Sequence, residues 1–194
     1  MSAADSKAMP GRSATARRTT GTALSAPGRL PLASLILGVC FGGCAMHAAF
    51  AAESLLHKQA PEFVLRDLSH KSLDLKAYRG KVVLLNFWAT WCAPCQLEMP
   101  RFIAWQSQYS PRGLQVIGIS MDDDPALVRS LCAKLKVNYP VVMGDEKIGE
   151  LYGGVLGLPV TYLIDTHGEI RAEYRGETDL SRIEMQMKML LPQP

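Results

Sequence analysis

The sequence predicts an α/β sandwich built on a mixed central sheet. Three observations point there. Residues 81–88 form a nearly unbroken apolar run opened by Gly80, the mark of a central strand covered on both faces. A helical repeat follows it directly, with Met99, Phe102, Ile103 and Gln106 at helical spacing. Further strand and helix signals then alternate and finish in a hairpin and a last helix.

Taken in order, residues 53–60 are polar, and we read 53–58 as a linker and 59–192 as one domain. The stretch FVLRDLSHKSLDLKAYRG alternates apolar and polar residues about Ser69-His70-Lys71, an N-terminal hairpin. The central strand runs into Trp91-Cys92-Ala93-Pro94-Cys95, and the helix after it extends to Gln108, before Ser110-Pro111 and Gly113. A second strand spans Leu114 to Ser120. In the acidic run 122–124, Asp124 caps the helix that Pro125 opens and that reaches about Lys136. Val141-Val142 is a short strand, Glu146 to Tyr152 a short helix, and Val160 to Ile164 a strand preceded by Gly157-Leu158-Pro159. Asp165-Thr166-His167-Gly168 turns into a strand from Glu169 to Arg175, and Asp179 or Ser181 caps a helix through Leu191.

The 194-residue chain has a formal charge of +3, but residues 1–52 carry five cations against Asp5 alone, so the remainder is close to −1. It contains no basic stripe, which argues against a nucleic-acid partner. The leader is basic, then apolar, then small, and Leu30 to Ala52 has no formal charge and ends in Ala-Phe-Ala-Ala, just before Glu53. We read residues 1–52 as an export signal cleaved near Ala51 or Ala52. The same run, just over twenty residues, is also long enough to serve as an uncleaved membrane anchor. Arg17-Arg18 lacks the bulky apolar pair of a twin-arginine signal, and Val39 and Phe41 suit a lipid-anchor signal at Cys40 or Cys44 poorly. The expected location is the periplasm, either free or anchored to the inner membrane.

Beyond the leader three cysteines remain, Cys92, Cys95 and Cys132, too few for a disulfide scaffold. A Cys-x-x-Cys pair serves redox chemistry, half of a zinc site, or a static disulfide. No second such pair exists, and His47, His57, His70 and His167 are scattered, so no metal site is expected and redox use is favoured. At a strand-to-helix corner the first cysteine meets the unpaired N–H groups and dipole of the helix start, which favour its thiolate. Cys92 is therefore the expected nucleophile and Cys95 the resolving thiol. Pro94 suits the first helical turn. Cys132, between Leu131 and Leu135, is expected to be a small buried apolar residue. Met185, Met187 and Met189 form a string that copper could use, but on a helix alternate residues diverge, and Met187 is expected in the core.

Phe87-Trp88-Ala89-Thr90-Trp91-Cys92-Ala93-Pro94-Cys95, with Pro100 and Gly157-Leu158-Pro159-Val160-Thr161 downstream, resembles the thioredoxin superfamily. Within it the chain looks most like the exported branch that includes the TlpA, ResA and CcmG proteins of cytochrome maturation. The N-terminal hairpin and the long stretch between Cys95 and Pro159 point to that branch. The resemblance covers about residues 59–190 and implies a thioredoxin-like fold with an N-terminal hairpin and an inserted strand and helix.

It further implies a reductant of cysteine-containing proteins, such as apocytochrome c at its haem-attachment cysteines or copper-chaperone thiols. Such a reductant is recharged by a membrane electron donor of the DsbD or CcdA type and needs no cofactor. By the same resemblance Pro159 is a cis-proline facing the cysteine pair, and Leu158 offers its backbone to a substrate strand. Trp91 packs beside the pair at the surface, while Trp88 belongs to strand packing. Where cytoplasmic thioredoxins carry a buried aspartate, this chain has Asn86, which exchanges no proton. Glu98 aligns with an acidic residue that the exported branch keeps near its cysteines, and is the candidate to exchange a proton with Cys95.

Two alternatives compete. A thiol peroxidase of the alkyl-hydroperoxide group would want a proline well before its reactive cysteine, in P-x-x-x-[TS]-x-x-C, and that proline is absent. A copper-binding or chaperone module would need a histidine or methionine beside the thiols.

Overall fold

The computed structural model describes residues 54–193. The proposed leader, with Cys40 and Cys44, lies outside them. The N-terminal hairpin forms as read, β1 (Val64–Arg66) pairing antiparallel with β2 (Ser72–Asp74). Asp67 shapes its turn by accepting hydrogen bonds from Ser69 N and Lys71 N. A short 3-10 helix, Leu75–Tyr78, follows, which the sequence pattern did not signal.

The main sheet has five strands in the order β5-β4-β3-β6-β7. At its centre β3 (Val82–Trp88) is buried along its whole length, as its continuous apolar run requires. It pairs parallel with β4 (Leu114–Ser120) and antiparallel with β6 (Val160–Ile164). The edges are β5 (Val141–Met143), parallel to β4, and β7 (Ile170–Arg175), antiparallel to β6. Side chains of β3 alternate between two cores. Val82, Leu84 and Trp88 face α1 (Ala93–Tyr109), α2 (Pro125–Leu135) and α4 (Leu180–Leu190), whereas Val83, Leu85 and Phe87 face the hairpin and α3 (Glu146–Leu151). Between α1 and β6 the chain holds β4, α2, β5 and α3, which leaves room for the expected extra strand and helix.

Caps explain the helix boundaries. Asp124 accepts from Ala126 N at α2, Asp145 from Ile148 N at α3, and Asp179 from Ser181 N at α4. In α1 the buried face differs from the expected stripe. Ile103 and Gln106 are only partly covered, while Trp105 and Tyr109 join Met99 and Phe102 in the core. Large rings recover more apolar burial, and Phe102 and Trp105 pack with centroids 5.5 Å apart. The segment expected as a linker is stitched to β7 from its fifth residue onward: His57 N donates to Ile170 O, and Ile170 N donates to Lys58 O. Cys132 is half-buried against the α1 side core rather than fully enclosed. Met187 is buried, with Met185 and Met189 exposed on the opposite side of α4.

Candidate active site

The register of the sheet decides what meets at one end of it. Trp88, the last residue of β3, lies opposite Ser120 at the end of β4, and Phe87 lies opposite Val160 at the start of β6. The corner after β3, the loop after β4 and the loop before β6 therefore converge. At the corner Cys92 is the N-cap of α1 and is bonded to Cys95, with sulfurs 2.06 Å apart. The Cys92 sulfur also accepts from Cys95 N at 3.3 Å, so it sits where the helix presents its unpaired N–H groups. Both cysteines are buried, beside Trp91, which is 71% exposed.

On the β6 side the Leu158–Pro159 bond is cis. Leu158 packs against both cores, including the one that holds Cys92 and Cys95. Pro159 O accepts from Gly176 N, while the N–H and C=O of Leu158 make no hydrogen bond among the described residues. An unpaired donor and acceptor thus stand at the mouth of the site, available to an added strand.

Glu98 lies on the buried face of α1, 5% exposed, and its Oε2 has no partner among the described residues. Burial first, and the charge of Glu177 second, push its carboxyl up to about 7. Asn86, also buried, donates its Nδ2 to Thr161 Oγ1 at 2.9 Å, which satisfies the polar group the thioredoxin comparison singled out. Trp88 is enclosed in the sheet core as expected. Cys132 is of another kind, its thiol pushed up to about 11 by burial and by the charge of Asp122. That leaves it mostly protonated at neutral pH.

One residue escaped the sequence pattern. The run 122–124 explains the α2 cap, and Asp124 does cap it, but Asp122 turns inward, 7% exposed, toward the cysteine corner. Its carboxylate accepts from Thr90 N at 2.8 Å, Thr90 Oγ1 at 2.5 Å and Ser120 Oγ at 2.7 Å. Only the predicted end of β4 beside the cysteine strand could have hinted at this. Among the described residues no group of three or more His, Cys, Asp or Glu side chains is arranged to hold a metal ion.

A five-stranded mixed sheet with a disulfide at the N-cap after its central strand and a cis-proline beside it defines a thioredoxin-like protein. Residues 56–173 match the AhpC/TSA family. The chain is 34% identical to the thiol-disulfide oxidoreductase ResA of Bacillus cereus over 162 residues, 81% of this chain and 92% of that protein. To ResA of Bacillus subtilis it is 30% identical, over 81% of this chain and 89% of the other. A solved thiol:disulfide interchange protein of the thioredoxin family from Chlorobium tepidum superposes with a TM-score of 0.64 at 27% identity, covering 69% of this chain and 96% of that one. The chain belongs to the AhpC/TSA family, among its thiol-disulfide oxidoreductases. These relatives do not favour the peroxidase alternative.

Proposed function

We propose that the protein is an exported protein-disulfide reductase in which Cys92 attacks and Cys95 resolves. The observation that carries this is the position of the Cys92 sulfur at the N-cap of α1, accepting the Cys95 N–H. In the reduced protein that position stabilises the Cys92 thiolate, which attacks a client disulfide. One client sulfur leaves as a thiolate and takes up a proton, and a mixed disulfide with Cys92 remains. Cys95 then gives its proton to the Glu98 carboxylate and attacks the Cys92 sulfur. The second client thiolate leaves, the Cys92–Cys95 disulfide forms, and two electrons have passed to the client. A carboxyl with its pKa near 7 is suited to accept that proton and return it. The backbone of Leu158, which makes no hydrogen bond among the described residues, pairs with the client strand beside Pro159, and exposed Trp91 packs against it.

Clients are cysteine-containing proteins. Similarity to ResA supports cysteine pairs of the cytochrome c or copper-oxidase maturation pathways, with a membrane electron donor such as a DsbD-like or CcdA-like protein. The leader sequence supports export, with residues 1–52 acting as a signal or as an inner-membrane anchor. Among the described residues no helix is long and apolar enough to cross a membrane.

The test is a Cys95→Ala variant expressed in its native cells, alongside insulin-disulfide reduction by the wild-type protein. We expect turnover by the wild type and stable mixed disulfides on Cys92 of the variant, with cytochrome or copper-protein maturation clients among them. No turnover and no trapped partner would overturn the assignment. Recovery of general oxidative-folding clients alone would overturn the dedicated reductase role.

A further inference from the structure

The cysteine corner is held from outside the helix it opens. After β3 the chain passes through Ala89, Thr90 and Trp91 to Cys92. Thr90 uses every polar group it has: its N–H and hydroxyl donate to the two Asp122 oxygens, and its C=O accepts from Gln96 Nε2 at 2.6 Å. Asp122 is itself anchored, because Ser120 Oγ donates to its Oδ2 and Met121 N donates to Trp88 O at 2.8 Å. Thr90 is thus gripped between the loop after β4 and the residue after Cys95.

We propose that Asp122 is a positioning residue for the disulfide exchange, acting through Thr90 to hold Cys92 at the helix N-cap. The role rests on the reductase reading above and deepens it. While the disulfide is closed, the bond to Cys95 already ties Cys92 to α1. Once it is reduced, Cys92 keeps only its backbone bonds, its C=O accepting from Gln96 N and its N–H donating to Ala89 O, and the Asp122–Thr90–Gln96 clamp fixes the chain that leads into them. A corner that drifts takes the Cys92 sulfur away from the N–H groups that favour its thiolate. The structure places the deciding contact on a residue two positions before the nucleophile, held by a carboxylate from a different loop.

A simple charge effect predicts the opposite sign. A carboxylate near a thiolate disfavours it, so replacing Asp122 by a neutral residue would, by charge alone, lower the Cys92 pKa and speed its reaction. Positioning predicts that the same replacement raises the pKa and slows it.

The experiment measures iodoacetamide alkylation of Cys92 in the reduced full-length protein across pH, with Cys92 distinguished from Cys95 and Cys132 by peptide mass spectrometry. Asp122→Asn, Thr90→Val and Thr90→Ser are compared, with Gln96→Ala as a milder variant that keeps the buried carboxylate. We expect Asp122→Asn and Thr90→Val to raise the Cys92 pKa and slow alkylation below that pKa by about tenfold, one pKa unit. Thr90→Ser, which keeps the hydroxyl, restores the wild-type profile, and Gln96→Ala shifts it in the same direction by less. Faster alkylation of Asp122→Asn, or an unchanged profile in both Thr90→Val and Gln96→Ala, overturns the clamp. Alkylation reads Cys92 without any client. A wild type that reduces no protein disulfide therefore refutes the reductase reading, whereas wild-type profiles in the variants refute the clamp alone.

Discussion

Asn86 and Thr161, paired across β3 and β6, close a buried side-chain hydrogen bond of 2.9 Å inside the sheet, on the strand that leads into the cysteine corner. Both are buried, so each serves as the other's partner in a place without room for competition from bulk water. Thr161→Val keeps the shape and removes the acceptor, leaving the Asn86 amide unpaired. We expect a loss of about 1–3 kcal/mol in denaturant unfolding, with Thr161→Ser close to the wild type. A neutral Thr161→Val would mean that Asn86 finds another acceptor.

Glu98 should make stability fall with rising pH. Its carboxyl is pushed up to about 7 in the fold by burial and then by Glu177, against an ordinary value of 4.5. Between those values the unfolded chain has released a proton that the folded protein still holds, so each increase in pH favours unfolding. Glu98→Gln removes this linkage. In thermal melts of the oxidised protein, the variant should gain on the wild type from pH 4.5 to pH 8. A constant difference across that range would show that Glu98 ionises as an ordinary glutamate.

Trp91 separates stability from function. At 71% exposure it contributes little to the core, so Trp91→Ala should change stability by no more than about 0.5 kcal/mol. If it packs against the client as proposed, the same variant should slow protein-disulfide reduction while leaving alkylation of Cys92 by a small reagent unchanged. Equal loss in both assays would place its effect on the cysteine itself.

Gly118 gives the indole of Trp88 its room. A Cβ there would stand 2.9 Å from Trp88 Nε1 and 3.3 Å from a Val141 methyl. Both neighbours are ring or branched side chains packed in the core, with little freedom to retreat. Gly118→Ala should therefore lower stability by about 1–3 kcal/mol, measured by denaturant unfolding. An unchanged midpoint would show that Trp88 can tilt without loss.

Much of this was legible because it is local. The bounds of β4 and β6 are marked by Gly113 before one, Gly157-Leu158-Pro159 before the other and the Asp165 turn after it. Asp124-Pro125 announces α2 in two residues, and Cys92 at a strand-to-helix corner announces its chemistry. The helical stripe of α1 is less legible, since periodicity shows that a face exists while neighbouring elements decide which rings fill it.

By itself the sequence determined the order of strands and α-helices, the Asp124 cap and the pair Cys92 and Cys95, because each depends on residues a few positions apart. Only the tertiary structure decided that Glu98 is buried near Glu177 with one oxygen unpartnered among the described residues, that Asn86 meets Thr161, and that Asp122 turns inward to grip Thr90. An acidic residue at a helix start or in a loop has the same local signature whether it faces water or the core. Which it faces is settled by segments distant in the chain that the sheet brings side by side, and with it the solvation and hydrogen bonding that set its chemistry.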